Sequence, residues 1–184
     1  MFRMYFRPAD ISLVKDVFSH AETLSVRHFG LGTDGMKDDR YEVKTLAHLE
    51  DHEVNEGSFA HLCRYFYQKE GVSEHPDNFY FFKICLQDNR ILDAVERGRS
   101  FIKLPSLLLY IALHELVHVV RFNRGEIGFD APLEEKMEEE EKVHRITRNI
   151  LRPMADGDLG LVLDCFSERY HVGDIYSVPQ RIVN

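Results

Sequence analysis

Residues 104–123 read LPSLLLYIALHELVHVVRFN, and no other stretch of the chain sets so much chemistry in so apolar a context. His114, Glu115 and His118 form the pattern HExxH, and seven uncharged residues (107–113) precede it. Residues four apart lie on one face of a helix, so both imidazoles can reach one metal ion with Glu115 beside them. Zinc hydrolases use this arrangement: the metal acidifies a bound water and the glutamate accepts its proton. The stretch therefore predicts a helix that carries a metal site.

The alternative is a surface helix that carries two histidines by chance. An exposed helix is not uniformly apolar over seven residues, whereas a buried helix is. Two histidines and a glutamate on a buried helix cost free energy unless they coordinate something. The apolar setting therefore favours a metal site. Hydrolysis is a separate inference, because a metal can also serve structure or binding. The alternative that the chain is a zinc-binding but non-catalytic regulatory or binding protein therefore stays open.

Composition predicts one globular domain that spans residues 1–184. Hydrophobic residues make up 44% of the chain and charged residues 29%, and this length suffices for one domain with its own core. The formal net charge is −8 and the isoelectric point about 5.7. This acidic balance argues against nucleic acid or an anionic membrane as the main partner, and the oligomeric state stays open.

The cysteines and the amino terminus bear on the compartment. Cys63, Cys85 and Cys165 are odd in number and widely spaced, so they indicate neither a disulfide framework nor a CxxC metal site. They are typical of buried thiols in a reducing compartment. No signal-peptide pattern is evident at the amino terminus, and the uncharged run from Leu104 to Leu113 is too short for a membrane span. We therefore expect a cytoplasmic protein.

Hydrophobic periodicity predicts an α+β fold: several helices and a small, mostly antiparallel sheet packed on the HExxH helix. Asp10 is the predicted N-cap of a first helix. Residues 90–96 fit a strand or a short helix, and the pattern does not decide between them. One helix is predicted to begin at Pro8, and others to cover residues 58–69, about 106–123, about 133–151 and 159–170. Strands are predicted near Tyr41 and over residues 79–86.

Hydrolytic zinc sites usually have three protein ligands and one open position, so two histidines leave one ligand to find. Six glutamates between residues 134 and 141 offer it. Glu140 lies within the predicted inward stripe of this helix, and Glu141 lies at its margin, so Glu140 is the predicted ligand and Glu141 the second choice. The apolar members that define the stripe are Met137, Val143, Ile146, Ile150 and Leu151. The remaining glutamates, predicted to form a solvated face, are Glu134, Glu135, Glu138 and Glu139.

These motifs resemble those of the bacterial ImmA/IrrE-type zinc metallopeptidases. HELVH is followed from Glu140 to Pro153 by E-x-x-V-x-x-I-T-x-x-I-L-x-P, similar to the helix that carries a metal-ligating glutamate in that family. The resemblance covers about residues 106–153 and implies a gluzincin-like fold with one zinc, a peptide or protein substrate and Glu140 as ligand. His144 and Thr147 stand where the family usually has asparagine and alanine. Nothing in the sequence suggests the DNA-binding module of some members.

The remaining candidate residues each have a simpler structural interpretation. His144 is either a group that stabilises the oxyanion or a satisfied interior histidine. His48 and His52 have the i,i+4 spacing but polar surroundings, which disfavours a metal role. Tyr170 and His171 are candidate proton donors, although aromatic residues near a carboxy-terminal helix more often serve packing.

A competing hypothesis is a di-iron carboxylate bundle, in which Glu115 and His118 form one ExxH pair and Glu141 and His144 the other. Such bundles need two more helices with a glutamate each, and the aromatic strand 79–86 fits them poorly. The sequence therefore favours a mononuclear zinc hydrolase, most simply a peptidase. His114, His118 and Glu140 are its predicted ligands, and Glu115 and His144 its predicted catalytic residues.

Overall fold

The computed structural model describes residues 4–32, 35–36, 40–68, 79–98, 101–166 and 180–183. Its helices are α1 (Pro8–Phe29), α2 (Asp88–Arg97), α3 (Leu104–Asn123), α4 (Leu133–Leu151) and α5 (Gly157–Cys165). Its strands are β1 (Tyr41–Lys44), β2 (Ala60–Gln68), β3 (Phe79–Leu86) and β4 (Gln180–Val183). Short 3-10 turns cover Leu46–His48, Asp51–Glu53 and Arg152–Met154. The predicted α+β class and the two long carboxy-terminal helices are confirmed.

The strands form one small mixed sheet in the order β1-β3-β2-β4. β2 and β3 are antiparallel from Ala60 opposite Leu86 to Tyr67 opposite Phe79. β1 runs parallel to β3, and β4 runs parallel to β2. The prediction of a mostly antiparallel sheet is therefore wrong, since two of the three pairings are parallel. The segment between β1 and β2 carries the chain past β3 before β2 begins, which leaves β1 and β3 running the same way.

The sheet packs on α3, as predicted. Leu62 of β2 and Ile84 of β3 are fully buried in the same apolar core as the central helix. Phe82 stacks on Phe122 near the end of α3, with 5.7 Å between ring centroids. α1 packs on α3 as well, and 14 of the 20 residues of α3 are buried. The helix is therefore the centre of the hydrophobic core.

Among the described residues, α3 alone is long and apolar enough to cross a membrane by length and composition. Buried residues make up 78% of its most apolar 18-residue window. A core helix of this kind satisfies the same criteria. The uncharged run (residues 104–113) is shorter than the helix, because α3 continues through His114 and His118 to Asn123.

Three predicted elements need correction. Residues 58–69, predicted as a helix, contain β2 instead. Leu62 on one face of that strand and Cys63 on the other are both buried, so the strand lacks the alternation that would reveal it. Residues 90–96 belong to helix α2. Asp10 is the third residue of α1 and accepts a hydrogen bond from the backbone N–H of Arg7, the actual N-cap, at 2.9 Å.

Candidate metal centre

The two histidines of α3 and one glutamate of α4 converge in the core, and we call them the helix cluster (His114, His118 and Glu140). The two Nε2 atoms lie 3.2 Å apart. The Glu140 carboxylate oxygens lie 3.4 Å from His114 Nε2 and 2.9 Å from His118 Nε2. All three side chains are buried. One donor atom from each lies within 4.8 Å of the others, so the cluster could hold a metal ion.

The distances and the surroundings of the helix cluster fit a small divalent cation. Two nitrogens bound at about 2.05 Å to a tetrahedral zinc lie about 3.3 Å apart, close to the separation of the two Nε2 atoms. Both carboxylate oxygens of Glu140 are buried, and neither accepts a hydrogen bond of normal geometry in the described part of the chain, although His118 Nε2 lies 2.9 Å from one of them. A buried carboxylate in that state is costly unless a cation lies beside it. A shared cation would satisfy Glu140 and both nitrogens together.

Electrostatics in the helix cluster favour the metal-binding forms of His114 and Glu140. Burial lowers the pKa of His114, which favours the neutral imidazole. Burial alone would raise the pKa of Glu140, but the neighbouring His118 and His114 outweigh it and lower the pKa. A neutral imidazole and an ionised carboxylate are the forms that bind a metal.

A buried ion pair sets the rotation of α4 against α3. Arg121, one turn beyond His118, donates to both carboxylate oxygens of Glu139, and its Nη2 lies 2.9 Å from Oε2. Glu139 also holds the pKa of Arg121 above its ordinary value. This pair brings the adjacent Glu140 to the two histidines. Glu139 was predicted to face solvent, and that prediction is wrong because Arg121 neutralises it inside the core.

The rotation of α4 decides between the two candidate third ligands. Glu140 is buried in the cluster, and Glu141 lies on the exposed side of the helix. Met137, predicted to face inward, is 48% exposed. The actual stripe begins with Glu139 and Glu140 and continues through Val143 and His144. Glu141 is therefore poorly placed both as a zinc ligand and as a member of a di-iron pair.

His144 lies beside the helix cluster and is held by Tyr110. Its Nδ1 is 2.6 Å from the Tyr110 hydroxyl, and its Nε2 is 3.8 Å from a Glu140 oxygen. The centroid of its imidazole ring lies 4.4 Å from the ring centroid of His114. Burial lowers the pKa of His144 to about 3, so the ring is neutral near pH 7. A neutral His144 can hydrogen-bond at both nitrogens, with the tautomer set by Tyr110.

Glu115 and His144 open onto a cavity of about 350 Å³. Glu115 is almost fully buried from bulk water, yet it lines this space beside His114. The apolar part of the lining comprises Phe59, Ala60, Ala94, Ile102, Leu107, Ile111, Val162 and Phe166. The remaining lining residues are Gly57, Ser58, Arg90, Tyr110, His114, Glu115, His144 and Cys165. An apolar pocket with a few convergent polar groups is the usual form of a ligand site.

The other sequence candidates lie elsewhere. His48 and His52 belong to separate 3-10 turns, and His52 Nε2 lies 3.1 Å from the Tyr65 hydroxyl. Tyr170 and His171 fall outside the described residues. Cys165 is exposed, contrary to the prediction of three buried thiols, because it is the last residue of α5 and lies beside the cavity.

Sequence reasoning missed Tyr110, Arg121 and Glu139. Tyr110 could have been found, because it precedes His114 by four residues and so shares the metal-facing side of α3. Arg121 could have been suspected as a buried charge near the end of an apolar helix. Its partner depends on the rotation of α4, which no sequence pattern supplied.

No family model, curated protein or solved structure matches this chain. The similarity to ImmA/IrrE-type peptidases therefore stays a prediction based on the residues between about 106 and 153. What can be inferred about function comes from the helix cluster, its neighbours and the cavity.

Proposed function

We propose that this protein is a mononuclear zinc-dependent hydrolase, and specifically a peptidase. The observation that carries the proposal is the convergence of His114, His118 and Glu140 beside a cavity that Glu115 and His144 line. Two imidazoles and one carboxylate form a ligand set used by hydrolytic zinc sites, and the adjoining cavity leaves room for a reacting molecule. A purely structural site would be enclosed by protein and would not adjoin such a cavity.

Each group has a specific role in the proposal. A zinc ion held by His114, His118 and Glu140 would supply a Lewis acid that lowers the pKa of a water molecule. The Glu115 carboxylate accepts a proton from the attacking water and donates it to the leaving amine. Tyr110 fixes the tautomer of His144, whose Nε2 side stabilises the oxyanion that develops on the carbonyl.

The lining of the cavity supports an extended peptide as substrate. Ala60, the first residue of β2, and the preceding Phe59 line the cavity. On the side of β2 away from β3, pairing in the described part of the chain begins only at Tyr65. An extended peptide could therefore pair with the first residues of β2, as peptides do at other sheet edges. The apolar lining would accept a hydrophobic side chain, and Arg90 offers a positive charge to a carboxylate.

Metal analysis of the purified chain tests the first half of the proposal. Protein prepared without added metal should contain zinc bound with its ligands at the helix cluster, and replacing His118 with alanine should remove that zinc. Two irons in place of zinc would support the di-iron hypothesis. A wild-type protein that binds no transition metal at the helix cluster would contradict both hypotheses.

Substitution of Glu115 tests the second half. Glu115→Gln should retain zinc and lose hydrolysis of a peptide library by about 10²–10⁴-fold, the usual contribution of a general base. Glu138→Gln, which removes an exposed carboxylate, should hydrolyse at the wild-type rate. Equal activity of Glu115→Gln and wild type would refute the assigned role. Tight zinc with no turnover by wild type would favour a zinc-holding binding protein.

A further inference from the structure

A second group of metal-binding side chains lies on the sheet, and we call it the sheet cluster (His61, Cys63 and Cys85). His61 and Cys63 are two residues apart on β2, so both project from the same face of the strand. Cys85 is directly opposite His61 on β3. All three are at most 2% exposed, and one donor atom from each lies within 4.8 Å of the others.

The sheet separates this cluster from the helix cluster. Leu62 and Ile84, which alternate with the cluster residues, belong to the core around α3. The cysteines lie on the opposite face, where Leu49, Tyr65 and Phe81 pack against them. The sheet cluster is therefore an independent feature, and its role does not depend on the proposed hydrolase.

The separation of the two sulfurs indicates joint metal binding. Cys63 Sγ and Cys85 Sγ are 3.8 Å apart. Two thiolates bound at about 2.3 Å to a tetrahedral zinc are also about 3.8 Å apart. The two cysteines are diagonal neighbours on the ladder, because Cys63 is opposite Lys83. Diagonal Cα atoms are roughly 7–8 Å apart, which exceeds the usual Cα span of a disulfide.

Charge balance on this face favours a divalent ion. The Cys85 thiol donates a hydrogen bond to Cys63 Sγ, so the two sulfurs are in contact inside the protein. A metal ion bound to both sulfurs replaces the two thiol protons. Two thiolates and a neutral imidazole around Zn²⁺ carry no net charge, whereas Cu⁺ would leave a buried negative charge. The adjacent Lys83 is already neutralised by Glu53 at 2.7 Å.

We propose that His61, Cys63 and Cys85 bind a second zinc ion, with water in the remaining position, and that this ion joins β2 to β3 beneath the segment that contains Leu49 and Glu53. Two sulfurs and one nitrogen are a donor set that zinc accepts in other proteins. The ion would be enclosed by protein and would serve structure.

Cobalt alone, added to the reduced, metal-free full-length chain, tests this proposal. Thiolate ligands give cobalt an intense near-ultraviolet charge-transfer band, which a site of two histidines and a glutamate cannot give. The wild type should show this band. The intensity of the band should stop rising once about one cobalt ion is bound at each sheet cluster. Absence of the band in folded wild-type protein would overturn the proposal.

Matched variants assign the band to these residues. Cys63→Ser and Cys85→Ser should each lose most of it, whereas Cys165→Ser should keep it, since Cys165 is the exposed cysteine. Glu140→Gln should also keep it, because that change affects only the helix cluster. A band that survives in Cys63→Ser and Cys85→Ser would refute the assignment.

If the serine variants fail to fold, X-ray absorption at the zinc edge of the wild type decides. Sulfur ligands to zinc support the sheet cluster, and purely nitrogen and oxygen ligation overturns it. A wild-type mass that is lower by two hydrogens before reduction, with no cobalt band after reduction, would identify a disulfide instead.

Discussion

The helix cluster and the sheet cluster differ in both chemistry and access. In the helix cluster, two nitrogens and a carboxylate come from two packed helices and adjoin a cavity. In the sheet cluster, two sulfurs and a nitrogen come from paired strands, and no residue of the cluster lines that cavity. Catalytic zinc sites keep an exchangeable position, whereas structural sites are enclosed and rich in thiolates. One small chain thus offers both kinds of environment on the two faces of one sheet.

The contrast extends to what holds each cluster in place. Rotation of α4 against α3 fixes the helix cluster, and the Arg121–Glu139 ion pair controls that rotation. Strand register fixes the sheet cluster, and backbone hydrogen bonds hold the register. The two clusters should therefore fail separately when their own supports are removed.

The largest effect is expected from Arg121→Met, which leaves the Glu139 carboxylate buried without its cation. Loss of one partner of a buried ion pair costs about 3–5 kcal/mol of unfolding free energy, measurable by urea denaturation. The exposed Arg145 provides a control, and Arg145→Met should change stability by less than about 0.5 kcal/mol. Similar stabilities of the two variants would show that the ion pair does not hold α4.

Glu140→Gln should weaken zinc binding at the helix cluster by more than about 100-fold, since even the loss of an outer partner costs 10–100-fold. Competition with a chelator of known affinity measures the change. Glu141→Gln removes the adjacent exposed carboxylate and should bind zinc like the wild type. A greater loss of zinc affinity in Glu141→Gln than in Glu140→Gln would show that α4 turns Glu141 toward the two histidines. The helix cluster would then have a different geometry.

Tyr110→Phe tests the proposal that the helix cluster, rather than the sheet cluster, is the reactive site. Removal of the hydroxyl frees His144 to change tautomer, so kcat for a peptide substrate should fall by about 10-fold with zinc affinity retained. Tyr80→Phe alters an exposed tyrosine on β3 and should leave kcat unchanged. An unaltered kcat in Tyr110→Phe would mean that His144 serves packing only.

The smallest effect is expected on the other side of the sheet, at Glu53. Burial alone would raise the pKa of Glu53, but hydrogen bonds from Lys83 and Tyr65 outweigh it and hold the pKa below its ordinary 4.5. This contribution to stability is present above pH 4.5 and is lost as pH falls through the folded pKa. Glu53→Gln should therefore show a shallower loss of unfolding free energy below pH 4.5 than wild type. Parallel curves would show that Glu53 titrates alike in both states.

The elements that sequence predicted best are those with one strong period. α3 and α4 each follow a helical pattern over about 20 residues, and the two histidines lie on one helix, so their proximity is a local property. Glu140 was reachable because apolar neighbours such as Val143 mark the buried side of α4. Glu139 was misassigned because an apolar stripe cannot show where a buried carboxylate meets an arginine of another helix.

The sheet resisted prediction for a physical reason. β2 is buried on both faces, so its residues lack alternation and fit a helical stripe by chance. With β2 taken for a helix, nothing placed His61 beside Cys85, since only the register of two strands brings them together. Widely spaced cysteines therefore appeared unrelated although their sulfurs are in contact.

The position of the helix cluster on α3 has a consequence for the life of the protein in a cell. Two of its three candidate ligands, His114 and His118, belong to the most buried helix, so binding of metal to the folded chain would add directly to the free energy of unfolding. Free metal at 100 times its dissociation constant adds about 2.7 kcal/mol. Chains that lack the proposed metal should therefore open more often and be degraded faster. The amount of this protein that survives proteolysis should therefore follow the supply of zinc.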